Sequence, residues 1–163
     1  MRTIAFIALS LFFTGCVSMY NPVPKGYTGP TAIVSDSFSN KEATQAHYFI
    51  LDRVDQKPIE TSWGQTRINN YGQGTMFTPS IIGRPLRATP QLLTIKGMIF
   101  FPTDAQLLFG DDLAVEGEFQ FTPKPGEHYT VKGAISETES KVWMEDSRGK
   151  KVSRVFAKQH DTE

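Results

Sequence analysis

Cysteine is nearly absent from this chain: Cys16 stands alone among 163 residues. That excludes a disulfide framework and a cysteine-built metal site. Charge of one sign is lacking too, since 17 Lys and Arg balance 17 Asp and Glu. No basic field draws nucleic acid, so no nucleic-acid partner is expected. Histidine is scarce: His47, His128 and His160 lie far apart and none has a neighbour at His-x-x-x-His spacing, so no metal centre is expected. There is no Gly-x-Ser-x-Gly nucleophile elbow either. The chain offers no catalytic constellation and no cofactor motif. A long apolar run is also missing. Ile4 to Phe13 is about half the roughly 20 residues of a membrane-spanning helix before Asn21, Pro22 and Pro24 intervene.

What the N-terminus does hold is a short export signal. Arg2 supplies the positive start, Ile4 to Phe13 the apolar stretch, and Thr14-Gly15 the small residues before a cut. Residues 1–15 therefore read as a signal peptide. Two other readings of the segment stand beside this one: an ordinary signal peptide cleaved elsewhere, or a buried helix with Cys16 in the core. A free odd thiol in an exported chain would be a liability, which favours modification of Cys16.

Phe13-Thr14-Gly15-Cys16 resembles the bacterial lipobox, with Phe13 where Leu is usual. The resemblance implies that the Cys16 sulfur takes a diacylglyceryl group, that cleavage precedes Cys16, and that the new amine takes an acyl chain such as palmitate. The implied partner is the membrane, held through lipid on Cys16. Val17, rather than Asp, follows the cysteine, which points to the outer membrane facing the periplasm. The inner membrane and the cell surface stay open as alternatives.

Beyond the anchor, residues 16–29 are rich in proline and glycine and read as a flexible tether. Residues 30–157 are expected to form one domain, and 158–163 a polar tail. Within the domain the periodicity is that of strands. Leu113, Val115, Gly117, Phe119 and Phe121 alternate with Ala114, Glu116, Glu118 and Gln120. Pro123 to Gly126 is a turn, and Tyr129 to Ile135 resumes the alternation, which predicts an antiparallel hairpin. Lys141 to Glu145 and Lys151 to Phe156 are further strands around an Asp146 to Gly149 turn. Thr31 to Ser35, His47 to Val54 and Gln91 to Phe101 complete the set. In the second of these, Tyr48, Ile50 and Val54 are placed opposite Phe49 and Leu51. The expected fold is an all-β antiparallel sandwich, immunoglobulin-like or transthyretin-like, with helical turns only at Ser39 to Gln45 and Asp104 to Phe109.

Thr61 to Pro90 is the longest irregular stretch, with one short strand expected at Thr75 to Thr78. Long loops often carry binding residues, and Trp63, Tyr71, Arg84 and Arg87 supply stacking faces and paired donors. These four are the candidate binding surface. Asp52/Asp55, Asp111/Asp112 and Glu145/Asp146 are paired carboxylates, yet each sits in turn chemistry. Trp143 is assigned to sheet packing or to an exposed anchor. Arg148, Lys150, Lys151 and Arg154 read as a solvated edge, with headgroup or acidic-partner contact as the alternative.

Tyr27 to Ala32, Phe49 to Asp55, Phe121-Thr122-Pro123, Tyr129 to Gly133 and Val142 to Asp146 together make the domain resemble small β-rich bacterial lipoproteins without assigned activity. The resemblance implies a non-enzymatic module that binds or scaffolds an envelope protein partner. A glycan- or lipid-binding lipoprotein is the alternative, and a hydrolase the third.

Overall fold

The computed structural model describes residues 19–103 and 113–160. Cys16 with its lipobox, the expected turns at Asp104 to Phe109, and Asp111/Asp112 lie outside the described residues. Among those described, the chain forms β1 (Thr31–Ser35), β2 (Ser37–Ser39), β3 (Ala46–Val54), β4 (Lys57–Pro58), α1 (Ser62–Asn69), β5 (Gly83–Arg87), β6 (Gln91–Phe100), β7 (Val115–Phe121), β8 (His128–Ile135), β9 (Glu139–Asp146) and β10 (Phe156–Gln159). The first sheet has the order β10-β9-β8-β1-β5. The second runs β2-β3-β6-β7, with β4 also on β3. The molecule is mostly β, and all pairings are antiparallel except that of β1 with β8.

The core follows from alternation. Val34, Leu86, Val131, Val142 and Met144 of the first sheet meet Phe49, Leu51, Leu93 and Ile95 of the second, all buried. Each such side chain contributes ~1.5 to 3 kcal/mol on leaving water. Gly133 is required by this packing, because a Cβ there would stand 2.3 Å from the Phe49 ring and from the Lys141 carbonyl. The open flank between β7 and β10 is closed by Phe156, whose ring lies where a Cβ on Gly117 would be, 2.0 Å away. On β5, an outer strand, Pro85 removes one backbone donor.

Several expectations are corrected. β7 and β8 do not form a hairpin: β7 pairs with β6, β8 with β1 and β9, and the Pro123 to Gly126 turn carries the chain between sheets. Proline and glycine turn signals mark a reversal without saying which sheet receives the next strand. Val54 shares the core face with Phe49 and Leu51 rather than the face of Tyr48 and Ile50. A bulge explains it: Leu51 pairs with Ile95 and Arg53 with Thr94, so Asp52 is extra and the faces exchange. Ser39 to Gln45 forms no helix, and Thr75 to Thr78 no strand. The last strand lies at Phe156–Gln159, with Lys151 in a single bridge to Glu145. Thr61 to Pro90 contains α1 and β5.

The turn at Asp55-Gln56 is as expected, and both residues have positive φ, 51° and 62°. The fit is that of a two-residue hairpin turn, and the Asp55 backbone and side chain bond both polar groups of Leu92, at 2.8 and 3.0 Å. The proline-rich segment is held to the body from Tyr20 onward. Tyr20 N donates to the Pro58 carbonyl at 2.9 Å, its ring packs on the core with Lys57 Nζ 4.7 Å from the ring centre, and Pro22 is buried.

Where β1 crosses into β2, the single residue between them is Asp36. Its carboxylate is fully buried and forms an ion pair with Arg84 of β5. Asp36 Oδ2 accepts from Arg84 Nη1 at 3.0 Å and from Ser62 N at 2.8 Å, and Oδ1 accepts from Arg84 Nη2 and, at 2.9 Å, from Leu51 N. Arg84 Nη1 also donates to the Glu60 carbonyl at 2.5 Å. On the edge of β3, β2 covers Ser37 to Ser39 opposite His47 to Phe49 and β4 covers Arg53 and Val54, so Asp36 serves the gap at Leu51. Breaking a buried pair on one side costs ~3 to 5 kcal/mol, because the remaining charge is stranded. We therefore expect Asp36→Asn to lower the unfolding free energy by that much, seen as a lower urea midpoint, with Arg84→Lys losing the two-pronged geometry at smaller cost. An unchanged midpoint for Asp36→Asn would refute this account.

Candidate functional site

Helix α1 begins where local chemistry dictates. Thr61 has extended geometry and its hydroxyl accepts from Gly64 N at 3.1 Å, a regular N-cap. The Asp36 carboxylate takes the next free amide, at Ser62, where negative charge also suits the helix dipole. The face turned inward is polar. Ser62, Thr66 and Asn70, one turn apart, are all buried. Ser62 Oγ accepts from Ile82 N at 2.9 Å, and Thr66 Oγ1 meets Tyr48 Oη at 2.7 Å and Ser80 N at 2.9 Å. Asn70 exchanges two bonds with the Thr78 backbone, at 2.8 and 3.0 Å. The helix thus fastens the 78–82 segment against the second sheet. Burial pushes the Tyr48 hydroxyl up to about 12, against the opposing effect of the Thr66 bond, so it stays protonated.

With the polar stripe inside, Ile68 faces out, while Trp63 leans inward on Phe100. Gly64, Arg67, Ile68 and Tyr71, at helical i, i+3, i+4, i+7 spacing, line a shallow hollow of about 570 Å³. Ile68 is 68 % exposed, Tyr71 90 % and, on the loop after the helix, Met76 73 %. A second cleft, about 260 Å³, opens on the other side of Tyr71 against Asn70, Gly74, Pro102 and Thr103. Beneath lies a small aromatic core: Phe100 touches Tyr48, Trp63 and Phe77 at ring separations of 5.5, 5.9 and 4.7 Å.

The four residues expected to bind are not brought together. Tyr71 is on the exposed face. Trp63 is half-buried, turned edge-on to Phe100 with Arg67 5.2 Å from its ring. Arg84 is withdrawn altogether into the pair with Asp36. Arg87 is half-buried and reaches Asp55 at 3.7 Å, at the end of the sandwich where β3 turns into β4. Ile68 and Met76 escape a sequence reading, since a lone apolar residue in a polar segment gives no periodic signal. Trp143 covers the outside of the first sheet, its Nε1 donating to Glu145 Oε1 at 2.6 Å and Lys151 Nζ 4.7 Å from its ring.

A further cleft, about 400 Å³, opens at the end of the sandwich away from the β3–β4 turn. Asn40, Glu42, His47, Phe101, Ile135 and Glu137 are among its walls. His47 is buried, and its Nδ1 lies 3.2 Å from Asn40 Nδ2, an acceptor role that suits neutral imidazole. Burial lowers its proton affinity, and the nearby Glu42 carboxylate offsets part of that. Among the described residues no three His, Cys, Asp or Glu side chains converge as a metal site. Asp52 and Asp55 serve different partners, Arg53 at 3.3 Å and Arg87. Asp146 accepts from Arg148 N and Lys150 N in its own turn. Among the described residues no helix is long and apolar enough to cross a membrane.

The lowered proton affinity of His47 gives a signed expectation. An unfolded imidazole protonates near 6.5 and the folded one only at lower pH, so the unfolded state binds more protons as pH falls. Stability should decline on acidification through that value and level off once the folded ring is charged. Urea midpoints taken between about pH 7.5 and 5.5 should show this slope, and His47→Gln should flatten it; an equal slope in the variant would assign it elsewhere.

No family model, no curated protein and no solved structure matches the chain.

Proposed function

We propose that this chain is a lipoprotein held through acylated Cys16 at the outer membrane, facing the periplasm, and that its domain is a non-enzymatic module that binds an envelope protein. The observation that carries the binding role is the inverted helix. Ile68 and Tyr71, which line one hollow, are left in water by a helix that spends its buried stripe on hydrogen bonds, and exposed apolar side chains set together in this way mark interaction sites. Tyr71 and Arg67, side by side at the hollow, are of the residue types that dominate protein interfaces. The anchor rests on the lipobox resemblance and on the apolar stretch before Cys16.

A ligand pocket built from Trp63, Tyr71 and Arg84 finds no support, because Arg84 is committed to Asp36. For the fold subtype, we read the sandwich as transthyretin-like. β1 lies between β5 and β8 and runs parallel to β8, whereas the immunoglobulin constant-type sheet sets its first strand beside its second.

Photo-crosslinkers placed at Ile68 and Tyr71 in living cells should yield one discrete adduct with an envelope protein, and a crosslinker at Lys132 on the outer face of the first sheet should not. Ile68→Asp should weaken the interaction by ~2 kcal/mol or more and remove the adduct. Absence of any adduct at both helix positions would count against the binding role. Cys16→Ser should abolish acyl labelling and leave unprocessed precursor; normal processing would count against the anchor.

A further inference from the structure

Val17, Ser18 and Met19 are all that separate Cys16 from Tyr20, and Tyr20 is fastened to the body at Pro58. Even fully extended, that connection reaches roughly 14 Å. Acyl chains on Cys16 would therefore hold one particular end of the sandwich close to the lipid surface. It is the end where β3 turns into β4, where the 122–127 connection runs from β7 to β8, and where the 147–150 turn follows β9. Ser147 Oγ donating to Glu127 Oε1 at 2.5 Å ties two of these turns together.

The charges at this end are sorted. Lys25, Lys57, Lys124, Arg148 and Lys150 are exposed. Among the described residues Lys25, Lys124 and Lys150 have no ion pair, and Lys57 has only its contact with the Tyr20 ring. The carboxylates of the same end are turned back on the protein. Asp55 bonds Leu92 N and Arg87, Asp146 bonds the Arg148 and Lys150 amides, and Glu127 takes the Ser147 hydroxyl and His128 N. These three acids are thus each spent on protein donors, while the ammonium groups of Lys25, Lys124 and Lys150 are exposed and, among the described residues, without an ion pair. At the opposite end, around the His47 cleft, Glu42 and Glu137 are exposed.

We propose that this basic end is a membrane-docking face, seated on the phosphate headgroups of the leaflet that holds the Cys16 acyl chains. The inference rests on the lipoprotein reading. It adds a direction: an acyl anchor and a basic cluster act as paired signals, each limiting how far the other lets the domain tilt. The α1 face and the His47 cleft are then presented away from the lipid.

The test uses the full-length precursor, processed in cells and reconstituted as the mature protein into vesicles of phosphatidylethanolamine and phosphatidylglycerol. A fluorophore is placed on Thr122→Cys at the basic end or on Thr138→Cys at the opposite end, and quenched by lipids carrying the quencher at the headgroup. The Thr122 position should be quenched severalfold more strongly, and Lys57→Glu combined with Lys124→Glu, or raised salt, should shrink the difference. Equal quenching at the two positions in acylated protein overturns the docking face and leaves the anchor standing. A difference that survives both charge reversal and salt overturns the headgroup contact. In the parent chain Cys16 is the sole sulfhydryl, so dye uptake by it would overturn the anchor itself, and with it the docking.

Discussion

The Asp36 carboxylate and the Arg84 guanidinium are the interaction on which the other parts depend. An aspartate buried at the corner between two sheets is costly unless every lone pair is used, and here two guanidinium nitrogens and two backbone amides use them. One ion pair thereby sets four things at once: the crossing of β1 into β2, the place of β5 beside β1, the interrupted edge of β3, and the first turn of α1. None of these is secured by apolar packing alone. Directional bonds at a corner select one arrangement where a hydrophobic interior would tolerate several.

In α1, polar bonding rather than apolar burial determines which way the element faces. Ser62, Thr66 and Asn70 hold it in place, so Ile68 and Tyr71 on its outward side have no packing duty. Those two residues answer to a different constraint from the core. Their exposure is the observation on which the proposed binding role rests, which is why the helix, and not the sandwich, carries the functional reading. The His47 cleft differs in kind: its imidazole is kept neutral by burial and held by Asn40, a structural arrangement more than a reactive one.

Much of the sandwich is legible in the amino-acid order, because strand alternation is a local signal. Thr31 to Ser35 matches β1, and Gln91 to Phe101 nearly matches β6. Pairing is less legible. The Pro123 to Gly126 turn announces a reversal, but the partner of β7 is set by which edge is free in three dimensions. The Asp52 bulge is invisible as well, since one extra residue leaves composition untouched while exchanging the faces beyond it. The helix is hidden for a sharper reason: the apolar periodicity that betrays a helix is the signature of its buried side, and α1 buries hydroxyls and an amide. Arg84 looks like a surface donor because its acid, Asp36, is 48 positions away. Of the candidate site, Tyr71 stands out by its residue type, and Ile68 and Met76 do not.

The closure of the sandwich flank by Phe156 over Gly117, together with Pro85 on β5, has a consequence under the proposed anchoring. Molecules anchored in a leaflet move in two dimensions, so neighbours meet side-on far more often than in solution, and open strand edges would zip them into ribbons. Blunted rims keep such encounters fruitless. A crowded lawn of such anchored domains would then stay a population of separate posts.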